Sequence, residues 1–400
     1  MDYSTVARPL EGAAGGFVFS LNSLYARLGQ LTDQRRRRGV RYPLAWVLLT
    51  MVVAKLAGAD TPQAIADWVS ERAALFRETF ELKSPRMPHH NTYRRIMQRA
   101  VVPAELERVV GDFLAEVPQA GVPVQITLDG KTLRGTLARG ETRGLHLLAA
   151  YWPEVGLVLA QVEVDPQTNE LGAAPQLLKT LDLQGKIITG DALFAQRELS
   201  LLIGAAGGDY VWTVKDNQPR LRADIEQLFE PDGTLVKGFN TGPTDTRTAQ
   251  TINKGHGRIE TRTLTVTSQL QATSDWPYLA QVFRLERMTQ LPSSGTVRCE
   301  TVYGLTSLTA AEASPARLQE LVRTHWQQEN GLHYRRDVTF KEDATRMKTW
   351  RAAHVLAILN NLALALLVRA GYRSLPQARR HYAAHPDRAL QLLLAPPSRL

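Results

Sequence analysis

VQITLDG, at residues 124–130, is the stretch of sequence that decides the fold. Val124 to Leu128 alternate apolar and polar side chains with a period of two, which predicts a β-strand running into Asp129-Gly130. KIITGD, at residues 186–191, repeats the arrangement, because a short apolar strand leads to Gly190-Asp191. Strand ends place side chains at the lip of a sheet, where small neighbours admit a ligand. We therefore expect Asp129 and Asp191 at such a lip.

The segments around these two aspartates extend the pattern to a larger α/β sheet. Hydrophobic periodicity and turn-forming residues predict strands at 145–152, 156–164 and 209–214. They also predict helices at 170–181 and near 196–203. Three strands, a helix, a strand, a helix and a strand is the element order of a ribonuclease H-like core. The order is used here as an analogy, since it does not establish the topology.

The flanking sequence predicts four further regions around this core. Residues 1–120 are expected to form a helical DNA-binding region, and 121–239 form the first part of the core. Residues 240–309, rich in Thr and Val, are typical of an antiparallel β insertion. Residues 310–371 are expected to return to the core as two long helices, the last of them ending at Gly371. Residues 372–400 form a polar tail to which no function is assigned.

The composition of the chain indicates what kind of partner the protein binds and in which compartment it acts. The 48 Lys and Arg against 39 Asp and Glu give a net charge of +9, which favours a polyanionic partner, with nucleic acid ahead of an acidic membrane surface. The single cysteine, Cys299, excludes an intramolecular disulfide and a cysteine-based zinc site. The chain begins without a basic and apolar leader, and the apolar run 44–54 is too short to span a bilayer. We expect a cytoplasmic protein without membrane association.

A third carboxylate stands in the stretch HWQQENGLHYRRD at residues 325–337. On one long helix, His325, Glu329 and His333 follow an i, i+4, i+8 stripe that Trp326 joins, so Glu329 is expected to face the protein. An inward carboxylate needs a partner or a metal ion. The alternatives are an ion pair of Glu329 with Arg335 or Arg336, and a zinc ion held by the stripe, although the HExxH arrangement is missing.

Three such carboxylates suit metal-dependent phosphoryl transfer. Two neighbouring aspartates repel each other unless a cation neutralises them, and Mg²⁺ prefers oxygen ligands. Two divalent ions can activate a nucleophile and stabilise the leaving oxygen of an in-line displacement. Each aspartate taken alone is equally well explained as a turn former or a helix cap.

Six stretches in one order carry a family resemblance over residues 35 to 370: RRGVRYPLAWVLLTMVVAKLAGAD, ITLDGKTLRGT, IITGDALFAQ, YVWTVKDNQP, HGRIETR and HWQQENGLHYRRDVTFKED. The chain resembles insertion-sequence transposases of the DDE superfamily, in the group of the H-repeat-associated proteins. The resemblance implies that Asp129, Asp191 and Glu329 are the catalytic, metal-binding triad, with Mg²⁺ or Mn²⁺. It also implies cleavage at terminal inverted repeats, joining to target DNA, and a homodimer on paired ends.

Several basic and aromatic residues are candidates for DNA contact. For each, a solvated face, a plain turn or a core position is the alternative. The candidates are Arg36, Arg37, Arg94, Arg95, Lys131, Arg134, Lys215, Asn217, Arg258, Trp326 and Arg336.

One departure from the family pattern concerns the glutamate. Related transposases carry an Arg four residues before it and a Lys seven after, where this chain has His325 and Arg336. Three other functions remain possible at this point: a non-mobile nuclease on the same scaffold, a DNA-binding protein without the reaction, and a zinc hydrolase. End cleavage by purified protein and metal analysis would separate them.

Overall fold

The structure is a computed structural model describing residues 22–38, 40–82, 84–115, 124–137, 144–229, 245–255, 257–344 and 347–395, with the backbone alone at 115 and 327–330. The chain divides into two compact units made of interleaved segments. The first unit comprises Met1–Val122, Gly130–Gln167 and Glu329–Leu400, and the second comprises Pro123–Asp129 and Thr168–Gln328. The sequence boundaries predicted at 120/121 and 239/240 lie outside the described residues.

The first unit is mainly helical. Thr61 caps its third helix through a hydrogen bond from the Ala64 N–H, and Pro62 takes the first helical position. The two helices between Ala73 and Arg95 are short. The helices of this unit are α1 (Leu24–Leu28), α2 (Leu44–Leu56), α3 (Pro62–Glu71), α4 (Ala73–Phe80), α5 (His90–Arg95), α6 (Pro103–Ala115), α11 (Trp350–Arg369), α12 (Leu375–Ala384) and α13 (Pro386–Leu394).

Two apolar helices form the core of this unit. Every residue of α2 is buried, as expected of a helix that is apolar on all sides, and α11 is buried over most of its length. By length and composition α11 is able to cross a membrane, but 89% of its apolar window is buried inside the protein. The α11 helix is therefore the centre of the core. Gly371, just beyond it, has φ +80°, a conformation that favours glycine and ends the helix.

The second unit contains most of the strands. Its order is β1-β4-β5-β9-β8-β7-β6, and β1 also belongs to the first unit, where the order is β3-β2-β1. Helices α7 (Glu170–Leu178), α8 (Arg197–Ala205), α9 (Pro219–Phe229) and α10 (Pro315–Gln328) complete it. The strands are β1 (Val124–Leu133), β2 (Leu145–Trp152), β3 (Leu157–Glu163), β4 (Lys186–Gly190), β5 (Asp209–Val214), β6 (Arg247–Gly255), β7 (Arg258–Thr267), β8 (Gln281–Leu291) and β9 (Thr296–Thr306).

The central strands pair in parallel, and the strands of the insertion pair in antiparallel fashion. Ile126 of β1 pairs with Ile188 of β4, and Ile188 pairs with Tyr210 of β5, both in parallel ladders. Strands β6 to β9 are antiparallel, and β9 continues the sheet from β5. The predicted mixed α/β architecture with N-terminal helices is confirmed, and the antiparallel strands β6 to β9 precede α10 in the chain. The α10 helix covers the second unit's core, which includes Val266, Phe283 and Leu321.

The helical segment after Thr61 breaks at Arg72 into α3 and α4, and His89 caps α5. Two local predictions differ from the structure. The α10 helix ends at Gln328, and a π-helix begins at Glu329. The tail is not merely polar, because α12 and α13 bury apolar side chains such as Leu375, Leu390 and Leu393. In each case tertiary packing overrides the local signal.

Candidate active site

Asp129 lies inside β1, and the prediction that it ends the strand is wrong. The ladder between β1 and β4 covers Val124 to Thr127, and β1 continues beyond it to Leu133. The reason is a second neighbour, since β1 lies between β4 and β2 in the strand order. Thr132 and His146 are hydrogen bonded at 2.8 Å between Oγ1 and Nδ1. Asp129 therefore stands where pairing with β4 stops, partly exposed.

Asp191 follows β4 directly, as the sequence predicted. It occupies the cap position of a 3₁₀ turn at Ala192–Phe194, and its Oδ1 accepts a hydrogen bond from the Leu193 N–H at 3.0 Å. The capping role, which was the alternative interpretation, is thus present. The bond engages one carboxylate oxygen, and the residue is exposed to solvent.

The two aspartates interact electrostatically within the second unit. Partial burial raises the pKa of Asp191, and the negative charge of Asp129 raises this pKa further. The Leu193 N–H and the Lys215 ammonium act in the opposite direction, with a smaller net effect, so that the pKa stays raised. A carboxylate whose ionised form is disfavoured by another carboxylate fits a cation between them. Asp129 and Asp191 are therefore candidate ligands of a divalent metal ion.

Gly190 has a packing role. A Cβ atom at this position would lie 2.8 Å from both Phe194 Cδ2 and Trp212 Cζ3. The glycine therefore accommodates two aromatic rings, which corrects the expectation that it makes room for a ligand. The consequence for the site is indirect, because the packed rings fix the turn that carries Asp191.

A buried polar chain that sequence reasoning missed connects β1, β4 and α10. Gln125 Nε2 donates to Thr189 Oγ1 at 3.1 Å and to the Leu321 carbonyl at 2.9 Å. Thr189 Oγ1 is in turn 3.3 Å from His325 Nδ1. The available signal was a pair of polar residues on otherwise apolar strands. These bonds set the position of α10 against the strands that carry both aspartates.

His325 does not restore the positive charge of the family's arginine. Burial lowers the pKa of His325 to about 4, and the nearby charge of Asp129 only partly opposes this effect. The imidazole is therefore neutral at neutral pH. Trp326, the next residue, is 46% exposed, so the prediction that it shares the inward stripe is wrong. An α-helix advances about 100° per residue, which turns Trp326 away from the face of His325.

Glu329 begins the π-helix Glu329–His333, and its side chain lies outside the described residues. Among the described residues, no group of three His, Cys, Asp or Glu side chains is placed to hold a metal ion. Short π-helical stretches are rare and frequent at functional sites. The backbone thus marks the position of Glu329 as unusual, and its role as a ligand stays a prediction.

Most of the predicted DNA contacts lie on the surface. Asn217 donates to the Ala192 carbonyl at 2.5 Å, which braces the turn after Asp191, and Arg258 lies 3.8 Å from Glu260. Lys215 is close enough to lower the pKa of Asp191. The exposed members are Arg36, Arg37, Arg94, Arg95, Arg134, Lys215, Asn217, Arg258 and Trp326.

Lys131 and Arg336 are the exceptions, and the structure argues against phosphate contact for both. Arg336 is 1% exposed, and its guanidinium pairs with Glu342 at 2.8 Å. Lys131 is 8% exposed and hydrogen bonds to Asp337. The chain after Glu329 is mainly π-helical, and a π-helix has wider turns than an α-helix. Glu329 and Arg336, seven residues apart, are therefore not two α-helical turns apart.

Asp191→Asn is expected to raise the thermal midpoint of the metal-free protein at neutral pH. The folded-state pKa of Asp191 lies above its unfolded value, so ionisation destabilises the fold as pH rises through that pKa, and the penalty vanishes below about pH 3.9. Asparagine removes the charge and keeps the acceptor for the Leu193 N–H. Thermal unfolding in EDTA from about pH 5 to about pH 8 measures the effect.

Asp182→Asn is the matched control, since Asp182 accepts an equivalent bond from the Gln184 N–H at 3.1 Å. That variant should show no such gain. A lower midpoint for Asp191→Asn than for the unaltered protein at neutral pH would contradict the electrostatic account.

Comparison with known protein families identifies the family to which this chain belongs. The family model described as Transposase DDE domain matches residues 121–366, and the model described as DDE_Tnp_1-associated matches residues 25–114. The chain belongs to the DDE transposase family. The resemblance found in the sequence is therefore confirmed.

Individual relatives are bacterial and similar over most of the chain. Protein YbfL of Escherichia coli (strain K12) is 27% identical over 352 residues, covering 87% of this chain and 90% of the relative. The H repeat-associated protein YhhI of the same strain is 26% identical, with the same coverage. A protein from the dhlA 3′ region of Xanthobacter autotrophicus is 33% identical over 273 residues, covering 67% of this chain and 88% of the relative. Among solved structures, a cryo-EM piggyBac transposase synaptic complex with hairpin DNA has a TM-score of 0.44 at 12% identity, covering 93% of this chain and 80% of that chain.

Proposed function

We propose that this protein is a metal-dependent DNA transposase with a ribonuclease H-like core, and that it cleaves DNA at the ends of its element and joins them to target DNA. Asp129, Asp191 and Glu329 are its catalytic residues and would hold Mg²⁺, for which Mn²⁺ can substitute. When bound, such ions would supply activation of the attacking water or 3′-hydroxyl and stabilisation of the leaving oxygen. We place the protein in the bacterial cytoplasm, acting as a homodimer on paired ends.

The observation that carries this proposal is the coupling of the two aspartates. They come from positions more than sixty residues apart in the sequence, and the charge of one raises the pKa of the other. A bound cation relieves repulsion between two carboxylates, and perturbed pKa values of this kind cluster at functional sites. Family membership supports assigning the third ligand to Glu329, which stands in the matching motif.

The residues of this chain contribute mainly position and charge. Thr189 and Gln125 hold the strands next to α10, and the Leu193 N–H fixes one oxygen of Asp191. Lys215, beside Asp191, provides a positive charge that suits a neighbouring phosphate. Placing reacting groups in this way is most of what phosphoryl transfer requires of a protein.

The deciding experiment uses purified full-length protein and DNA carrying the inverted repeats that flank its own gene. Strand cleavage at the repeat ends should require Mg²⁺ or Mn²⁺ and should be absent with EDTA. Joining of the cleaved ends to a plasmid target would distinguish a transposase from a non-mobile nuclease. Binding of the ends without cleavage in any divalent metal would instead favour a DNA-binding protein, and the proposed reaction would be wrong.

Replacing Arg36 and Arg37 together with alanine is expected to weaken DNA binding. Both side chains are exposed in the segment before α2. For every phosphate that the variant no longer neutralises, the slope of log affinity against log salt should fall by about 0.9. Electrophoretic or anisotropy titrations at several salt concentrations measure this slope.

The control replaces Arg108 and Arg317, which are already paired with Asp112 at 3.2 Å and with Glu320 at 2.7 Å. An unchanged slope for the Arg36 and Arg37 variant would make those two residues part of a solvated surface.

A further inference from the structure

A cluster of charged side chains is buried in the first unit, a few residues beyond Glu329. Arg336 Nε donates to Glu342 Oε2 at 2.8 Å, and Asn360 Nδ2 donates to Glu342 Oε1 at 2.8 Å. Lys55 Nζ donates to Asn360 Oδ1 at 2.7 Å. We call these five residues the buried charge cluster: Lys55, Lys131, Arg336, Glu342 and Asn360.

Burial of this cluster is nearly complete. Lys55 is 0% exposed, Arg336 1% and Glu342 4%, while Lys131 Nζ lies 3.9 Å from Glu342 Oε2. Charges taken out of water in this way cost free energy, and apolar residues of similar size are often as stable or more stable. Stability alone therefore does not account for three cations and a carboxylate at this buried position. A requirement for a fixed geometry of the surrounding backbone does account for them.

The cluster fixes the segment that Glu329 begins. From Glu329 to Thr339 the backbone is one helical run with mainly π-type bonding. Lys341 then adopts φ +49°, in the left-handed region that disfavours a side chain. This turn brings Glu342 back onto Arg336. Strain of this kind persists where the surroundings determine the conformation, and it is common at functional sites.

Further bonds hold the same segment from three sides. Lys131 on β1 hydrogen bonds to Asp337, and the Arg134 N–H donates to Asp343 Oδ1 at 3.2 Å. Arg379 on α12 donates to the Thr339 carbonyl and, at 2.7 Å, to Asp60 Oδ1. The helical run is thereby tied to β1, α11 and α12.

We propose that Arg336 and Glu342 are positioning residues that set the orientation of Glu329 for metal binding, and that Arg336 does not contact DNA. This inference rests on the proposed function, since it assumes that Glu329 is a metal ligand. A carboxylate that must share ions with two others needs support that holds it within a fraction of an ångström. The Arg336–Glu342 pair supplies that support through the π-helical run.

The test compares an apolar replacement of the pair, Arg336→Met with Glu342→Leu, with the unaltered full-length protein. Removing both charges avoids leaving the Arg336 guanidinium unpaired, while Lys131 keeps Asp337 and Lys55 keeps Asn360 as partners, so the variant should fold. We expect Mn²⁺ affinity of the DNA-free protein, followed by the EPR signal of the free ion, to fall about 10- to 100-fold. End cleavage at limiting Mg²⁺ should fall similarly, while affinity for the DNA end stays within about twofold. Arg108→Met with Asp112→Leu, at an exposed pair in the same unit, is the control.

The outcomes separate this inference from the proposed function. If Glu329→Gln weakens Mn²⁺ binding and the double variant does not, the positioning role is overturned and the triad stands. If Glu329→Gln leaves Mn²⁺ binding unchanged, the triad falls and the positioning role falls with it. A loss of DNA-end affinity with unchanged Mn²⁺ affinity would overturn the inference in favour of a DNA contact by Arg336. Should the double variant not fold, Glu342→Gln is judged by the same measurements.

Discussion

Replacing Asp129 or Asp191 with asparagine, or Glu329 with glutamine, is expected to slow DNA end cleavage by about a thousandfold or more. Loss of a ligand removes several kcal/mol of transition-state stabilisation, and each 1.36 kcal/mol corresponds to about tenfold in rate. Asparagine and glutamine keep nearly the same shape, so the fold should persist. Single-turnover cleavage of an end-labelled repeat in Mg²⁺ measures the rate.

End binding in the absence of metal separates catalysis from recognition. Because affinity comes largely from contacts to phosphates, the three variants should bind the ends about as tightly as the unaltered protein. Binding should become tighter if removal of a negative charge relieves repulsion of the DNA. Asp182→Asn is the matched control, because Asp182 is exposed and accepts the equivalent turn bond. The variant should cleave DNA ends at the unaltered rate. Cleavage at the unaltered rate by any of the three variants would remove that residue from the triad.

Glu342→Ala is expected to be the most destabilising of the substitutions considered, by about 3–5 kcal/mol, because it leaves the buried Arg336 guanidinium without its carboxylate. Burial by itself raises the pKa of Glu342, but Arg336, Lys131 and Asn360 outweigh burial and hold this pKa below its usual range. A depressed folded-state pKa contributes stability above the unfolded pKa, about 4.3, and loses it as pH falls further. Denaturant midpoints at neutral and acidic pH measure both effects.

The control for this stability prediction is the double replacement Arg336→Met with Glu342→Leu. It removes the pair without leaving the Arg336 guanidinium unpaired, so its unfolding midpoint should lie above that of Glu342→Ala. Asp112→Ala, at an exposed pair, should change stability by less than about 1 kcal/mol. If Glu342→Ala is no less stable than Asp112→Ala, the cluster is not held by charge.

Much of the fold was predictable because local patterns and tertiary packing agree. The bounds of β2 and β5 and the start of β4 match the alternation and the glycine signals of the sequence. The Thr61-Pro62 start of α3 and the Gly371 end of α11 follow from capping chemistry that involves only neighbouring residues. Such features depend on a few adjacent dihedral angles, so a single sequence specifies them.

The position of Asp129 shows where local reasoning stops. A glycine after an aspartate indicates a strand end, yet β1 continues because a second strand lies on its other side. Gly190 was interpreted as space for a ligand, and the structure fills that space with Phe194 and Trp212. Both outcomes depend on partners distant in sequence, which alternation and spacing do not reveal.

The sequence by itself determined the class of the protein and the order of its helices and strands. It also determined which acidic residues are the candidate metal ligands. Only the tertiary structure decided that the charge of Asp129 raises the pKa of Asp191, that His325 is neutral, and that Lys131 and Arg336 are internal. Lys55 after an apolar run and Asn360 within an apolar helix were the visible signals of the buried cluster. The physical reason is that charge and solvent exposure depend on what surrounds a side chain in space, and those neighbours come from remote parts of the chain.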